Sequence, residues 1–161
     1  LPKAELFMEA IDRRILTLLA EDSERSLQDL ALEVGLPTST LHQRIKRLET
    51  RGLIQGYQAK LDLRKVGLSL TSFVSLTPID PAAPDSIPAQ LESISEIEGC
   101  WSVAGEESYI VKVNVAEPAD LEALLGKIRA QTNCSTQTTV VLSTAFENRP
   151  PAIPESDQND S

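Results

Sequence analysis

Between Ser39 and Arg51 the chain sets Ser39, Thr40, His42, Gln43, Arg44, Lys46, Arg47 and Arg51 around three apolar residues, Leu41, Ile45 and Leu48. Stepped at about 100° per residue from Leu41, Ile45 and Leu48 fall beside it, while Ser39, Gln43, Lys46 and Thr50 point the opposite way. His42 and Arg47 flank that outward face. Hydroxyl and amide groups donate and accept at base edges, Gln can be bidentate to adenine, and Lys or Arg takes guanine or a phosphate. Carried on a helix, these residues suit the major groove of duplex DNA. Arg44 lies nearer the buried edge, where an ion pair with Asp12 or Glu33 competes with a phosphate contact. Arg51 at the helix end and Lys60 beyond it are placed for sequence-independent backbone contacts. His42 is the sole histidine and has no second ligand near it, so it reads as a DNA contact or a surface residue.

The elements that must hold this face are legible upstream. Ile11, Ile15, Leu18 and Leu19 make one helical stripe. Ser26 followed by Asp29 resembles a capping box that opens a second helix, buried through Leu27, Leu30, Ala31 and Val34. Gly35 supplies a left-handed stop from which the chain reverses into the third helix. After Gly52, the run from Leu53 to Leu61 has the alternation of an extended wing and connector. The spacing therefore predicts a winged helix-turn-helix over residues 1–57 and a strand or linker over 58–66.

From residue 67 to 147 strands alternate with helices. The patterns predict a strand at Leu68–Leu76, a helix at Asp85–Ile94, hairpin strands at Gly99–Ala104 and Tyr109–Val115, a helix at Pro118–Thr132 and a strand at Thr136–Phe146. That βαββαβ order is ferredoxin-like, an antiparallel sheet with helices on one face. The class is α+β, and the bare sheet face needs a second copy or another domain to cover it. Residues 148–161 are Pro-rich and then polar, and read as a disordered tail.

The net charge of −9 argues against nucleic acid only until it is divided along the chain. Residues 39–65 carry seven Lys or Arg against two acidic residues, whereas 67–161 carry four against fourteen. Contact with phosphates depends on the local patch. No apolar run is long enough for a membrane span, and no secretory leader pattern is present, so the default is a cytoplasmic protein without a membrane partner. Cys100 and Cys134 lie far apart and read as free thiols. No Ser/His/Asp set, metal cluster or phosphate loop supports catalysis, and no cofactor or metal is expected.

Several segments together carry a resemblance: Ile11-Asp12-Arg13-Arg14-Ile15-Leu16, Leu30-Ala31 with Val34-Gly35-Leu36, Arg44 to Glu49, Gly52 to Tyr57, and Leu63 to Gly67. From Met8 to Phe146 the chain resembles the leucine-responsive regulatory protein/AsnC (Lrp/AsnC) family of transcriptional regulators. The run from Cys100 to Asn114 is similar to an actinobacterial branch. The resemblance implies that the second domain binds small effectors, often amino acids, and that dimers form and commonly assemble into octamers.

Two departures stand out. Pro37 replaces the family's usual capping Ser, which leaves Thr38 or Ser39 to cap the recognition helix. Gly105-Glu106-Glu107-Ser108-Tyr109 replaces Gly-x-x-Asp-Tyr at the effector turn, so Glu106 or Glu107 stands in for the carboxylate that would hold an ammonium group. The resemblance thus implies an effector site of Trp101, Ala104, Gly105, Glu106, Glu107, Ser108, Thr136 and Thr138. Trp101 lines this pocket or packs at a dimer interface. Competing functions are an architectural DNA-wrapping protein, a sensor acting through protein contacts alone, and a sirohaem decarboxylase of the same two-domain layout. The last wants imidazole and basic groups, and the C-terminal part has no His and few cations.

Overall fold

The structure is a computed structural model that describes residues 8–82 and 86–154. The chain forms two compact units, one of Leu1–Ala59 together with Phe146–Ser161, the other of Lys60–Ala145.

The first unit holds three helices, α1 (Ala10–Glu21), α2 (Leu27–Val34) and α3 (Thr38–Thr50). Ile15, Leu18, Leu30, Ala31, Leu41, Ile45 and Leu48 form its core, with Ile11, Leu19 and Val34 partly buried against it; Leu27, which the helical spacing also places inside, is 39% exposed because it opens α2 at the edge of the core. Ser26 caps α2 by accepting from the Asp29 backbone N–H at 3.0 Å, and its hydroxyl donates to the Asp29 carboxylate at 2.7 Å. Gly35 stops α2 with φ at 71°, a conformation that glycine adopts at no steric cost.

Three expectations change here. Neither Thr38 nor Ser39 caps α3, because Pro37 occupies the cap position without a side-chain hydrogen bond and both residues lie inside the helix. Pro37 is suited to this end because the first backbone N–H groups of a helix have no intrahelical partner in any case. The run after Gly52 forms no wing strand: residues 55–62 have no regular structure, since a strand needs a neighbouring strand to pair with. Finally, the tail is not without contacts, because the Arg13 guanidinium donates to the Pro154 carbonyl at 2.6 Å. Residues 155–161 lie outside the described residues.

The second unit is a four-stranded antiparallel sheet in the order β2-β3-β1-β4. Its strands are β1 (Leu70–Pro78), β2 (Ile97–Ser102), β3 (Tyr109–Val115) and β4 (Cys134–Val140), with helices α4 (Ile87–Leu91) and α5 (Pro118–Thr132). This is the ferredoxin-like order expected from the βαββαβ pattern. Val74, Leu76, Val111, Val113 and Val115 on one sheet face pack with Ile87, Leu91, Ile94, Leu121, Leu124 and Ile128. α5 opens on a reciprocal capping box between Glu117 and Asp120.

α4 is shorter than the periodicity suggests. Asp85 lies outside the described residues, and Ile94 reaches the core through a turn closed by its N–H on Leu91 O. β4 stops at Val140, opposite Ser72, and one further bond, Val141 N–H to Thr71 O at 2.9 Å, carries the pairing to the first residues of β1. Cys134 is buried, Cys100 is exposed, and both are free thiols.

Candidate nucleic-acid interface and ligand cleft

The buried stripe of α3 fixes which of its residues meet solvent. Ser39, His42, Gln43, Lys46, Arg47, Thr50 and Arg51 are exposed, and Thr40 is half-buried. Lys46 Nζ lies 2.8 Å from Glu49 Oε2, and the Tyr57 hydroxyl donates to Glu49 Oε1 at 3.1 Å. The Lys46 ammonium, and then the Tyr57 hydroxyl, hold the Glu49 carboxyl below its ordinary range. Burial, with the Glu49 hydrogen bond after it, pushes the Tyr57 phenol up. Lys46 remains 63% exposed, and an ion pair this open to water is weakly held, so the ammonium can exchange Glu49 for an approaching acceptor.

Arg44 is committed to the fold. Its guanidinium donates to Asp12 Oδ1 and to Glu9 Oε2, both at 2.9 Å, and these bonds, Glu9 first, raise its pKa further. Of the two partners the sequence suggests, Asp12 is the right one. Glu33 instead pairs with Arg14 and Arg25. Asp12 is only 3% exposed, so Arg44 neutralises a carboxylate sealed under the helix. Glu9 was missed because it precedes the periodic part of α1.

At one end of the sheet, the hairpin turn, the segment after β1 and the C-terminal end of α5 enclose a cleft of about 580 Å³. Ala104, Gly105, Glu107 and Ser108 line it, as the sequence suggested for this turn. The turn is anchored by Ser108 N–H on Leu76 O and Val103 N–H on Ser108 O, each at 3.0 Å. The other proposed effector residues are not in the cleft lining. Trp101 pairs with Ile110, and Ile110 with Ser75, which puts Trp101 on the sheet face away from the helices, with the indole folded over Gly99. Thr138 and Thr136 pair with the core residues Val74 and Leu76 and so face the helices, and Thr136 accepts from Arg129 at 3.1 Å. Glu106 also lies outside the lining.

In their place the fold contributes Asp80, Gln90, Gln131 and Asn133. Asn133 is left-handed, with φ at 50°, and ends α5 at the cleft wall. Two carboxylates, Asp80 and Glu107, together with a helix C-terminus make the cleft negative, and no Lys or Arg is among the described lining residues. It fits a ligand bearing a cationic group. A partial signal for Asp80 existed in Pro78-Ile79-Asp80-Pro81, a turn sequence directly after a strand.

The face of the sheet opposite the helices carries Phe73, Trp101 and Ile110 with a polar chain beside them. Thr71 donates to Asn114, Asn114 donates to Glu98 at 2.7 Å, and Lys112 lies 3.1 Å from Glu98. Phe73 and Trp101 are 39% and 50% exposed. No described helix is long and apolar enough to cross a membrane, and no metal-binding cluster is present among the described residues.

Residues 8–55 match a winged helix-turn-helix DNA-binding family, and residues 71–151 match the Lrp/AsnC ligand binding domain. The chain is 45% identical over 142 residues to the HTH-type transcriptional regulator LrpA of Mycobacterium tuberculosis, covering 88% of this chain and 95% of that one. It is 35% identical over 123 residues to the leucine-responsive regulatory protein of Salmonella typhimurium, 74% of each. A solved feast or famine regulatory protein from M. tuberculosis, complexed with L-methionine, superposes with a TM-score of 0.88 at 45% identity, covering 91% of this chain and 99% of that one.

Proposed function

The chain belongs to the Lrp/AsnC family of DNA-binding transcription regulators, and from that premise we propose how it reads DNA and what it senses. The exposed face of α3 enters the major groove, with Ser39, Gln43 and Lys46 at base edges and Thr40, His42, Arg47 and Arg51 on flanking bases and phosphates. The observation that carries this is the sorting of α3 into a fully apolar buried side and an exposed side of amide, hydroxyl and cationic groups. Arg44 serves the site indirectly by tying α3 to α1.

The effector is an amino acid. Its ammonium meets Glu107 and Asp80, and its carboxylate takes neutral donors, the backbone N–H groups of the 104–107 turn and the side-chain amides of Gln90, Gln131 and Asn133, since no Lys or Arg is among the described lining residues. The L-methionine complex of the M. tuberculosis relative supports that ligand class. The apolar sheet face with Phe73, Trp101 and Ile110 supports a homodimer, which sets two recognition helices at a fixed spacing and gives a two-fold symmetric operator. Dimers assemble further, to an octamer, and effector binding shifts that assembly and operator occupancy. The protein is not an enzyme, uses no cofactor and works in the cytoplasm.

Gel shift on the promoter of the protein's own gene, with salt titration, tests the reading. Each lost base contact costs about 1–3 kcal/mol, so Gln43→Ala and Lys46→Ala weaken specific binding by roughly five- to 150-fold and leave the oligomer intact. Wild-type affinity in both variants removes α3 as the reading element.

A further inference from the structure

The first unit contains a groove that the winged-helix architecture does not need. α1 and the segment Leu53–Gln58 bound it, through Leu16, Leu19, Ile54 and Tyr57, and about 530 Å³ of it stays open. The same groove is lined by Pro151 and Ile153, from the far end of the chain. Ile153 is half-buried there, although it sits in a stretch whose composition gives no other reason for an apolar side chain to leave water. Beside it, Arg13 of α1 donates to the Pro154 carbonyl at 2.6 Å. That carbonyl is the only hydrogen-bond acceptor of the Arg13 guanidinium among the described residues. The match to the ligand-binding family ends at residue 151, so Ile153 and Pro154 lie beyond it.

We infer that this groove is a docking site for the chain's own C-terminal segment, Pro150–Pro154, which straps the Leu53–Gln58 connector to α1. Three features suit the segment to this use. Three of its five residues are proline, which lowers the entropy lost on docking because φ is already fixed. It presents one aliphatic anchor, Ile153, to an aliphatic and aromatic groove. Its carbonyl meets a fixed cation, and a hydrogen bond to a charged donor is stronger than a neutral one. The strap also bears on recognition, because the connector carries Tyr57, which holds Glu49, which in turn holds Lys46.

Trypsin cleavage after Lys60 in the full-length oligomer measures how firmly the connector is held. The Arg149–Pro150 bond resists trypsin because proline follows the arginine, so the strap stays attached during the assay. Half-burial of an isoleucine and one solvent-exposed hydrogen bond to a charged donor, set against the entropy of ordering the segment, leave an opening factor of about tenfold. Ile153→Asp and a chain ending at Arg149 are therefore each cleaved after Lys60 on the order of tenfold faster than wild type. A peptide of residues 148–161 added to the shortened chain slows cleavage again. Thermal unfolding of the sheet unit, followed through Trp101, is unchanged in both. Cleavage within twofold of wild type in both variants overturns the inference, as does a shortened chain that the peptide fails to protect.

Discussion

Replacing Arg44 by Ala removes two hydrogen bonds, to Asp12 and to Glu9, and leaves the Asp12 carboxylate, whose side chain is 5% exposed, without its cation. Breaking a buried pair from one side costs about 3–5 kcal/mol. Arg44 is itself 21% exposed and the Glu9 limb is open to water, so water recovers part of that cost and about 2–4 kcal/mol is expected. A helical unit this small draws on a stability at the low end of the usual 5–15 kcal/mol, so the loss brings unfolding close. Amide exchange in α1 and α3, read against urea, measures it without contribution from the sheet. Asp12→Ala alone is milder, because a lone Arg can swing to solvent. In the double variant Arg44→Ala with Asp12→Ala the penalties do not add, which gives a coupling energy of about 1–3 kcal/mol. The reasoning fails if Arg44→Ala melts within 0.5 kcal/mol of wild type while DNA affinity and the salt slope both fall, since that pattern belongs to a phosphate contact.

Two other outcomes are expected. Calorimetry against the twenty amino acids shows that Glu107→Gln weakens binding of the wild-type effector by tenfold or more; equal binding in both removes Glu107 from the site. In the sheet unit, burial opposes ionisation of Glu98, but the Asn114 amide and the Lys112 ammonium hold its carboxyl below the ordinary value of 4.5. The unfolded chain therefore binds more protons in mild acid. Stability from this group is complete above about pH 5 and drains away as pH falls through the folded value. Trp101 fluorescence melts at stepped pH show that slope in wild type and a flatter one in Glu98→Gln; equal slopes refute the assignment.

Much of the fold was legible because its signals are local. The i, i+4, i+7 stripes of α1 and α3, the Gly35 stop and the Pro118–Thr132 helix depend on neighbours within a few turns. What escaped depends on distant partners. β4 gives out near where β1 begins, which its own β-branched run cannot reveal. Thr136 and Thr138 sit on the helix side because strand parity is set by pairing with β1, and a shift of one residue exchanges the faces. The cleft gathers Asp80, Glu107 and Asn133 from three loops, so only its Gly105–Ser108 part could be read from a contiguous segment. For Arg44 the sequence named Asp12 or Glu33 as an ion-pair partner, and only the third dimension chose Asp12 and added Glu9.

Because the described residues on both sides of it, 8–59 and 146–154, belong to the helical unit, Lys60–Ala145 is topologically an insert. Hybrid regulators that join the DNA-binding part of this protein to another sensor by a single junction near Ala59 would discard Phe146 onward and leave the α1 groove empty. A working chimera needs two junctions, one on each side of the sensor. The same layout also means that a donor sensor can be transplanted as a cassette.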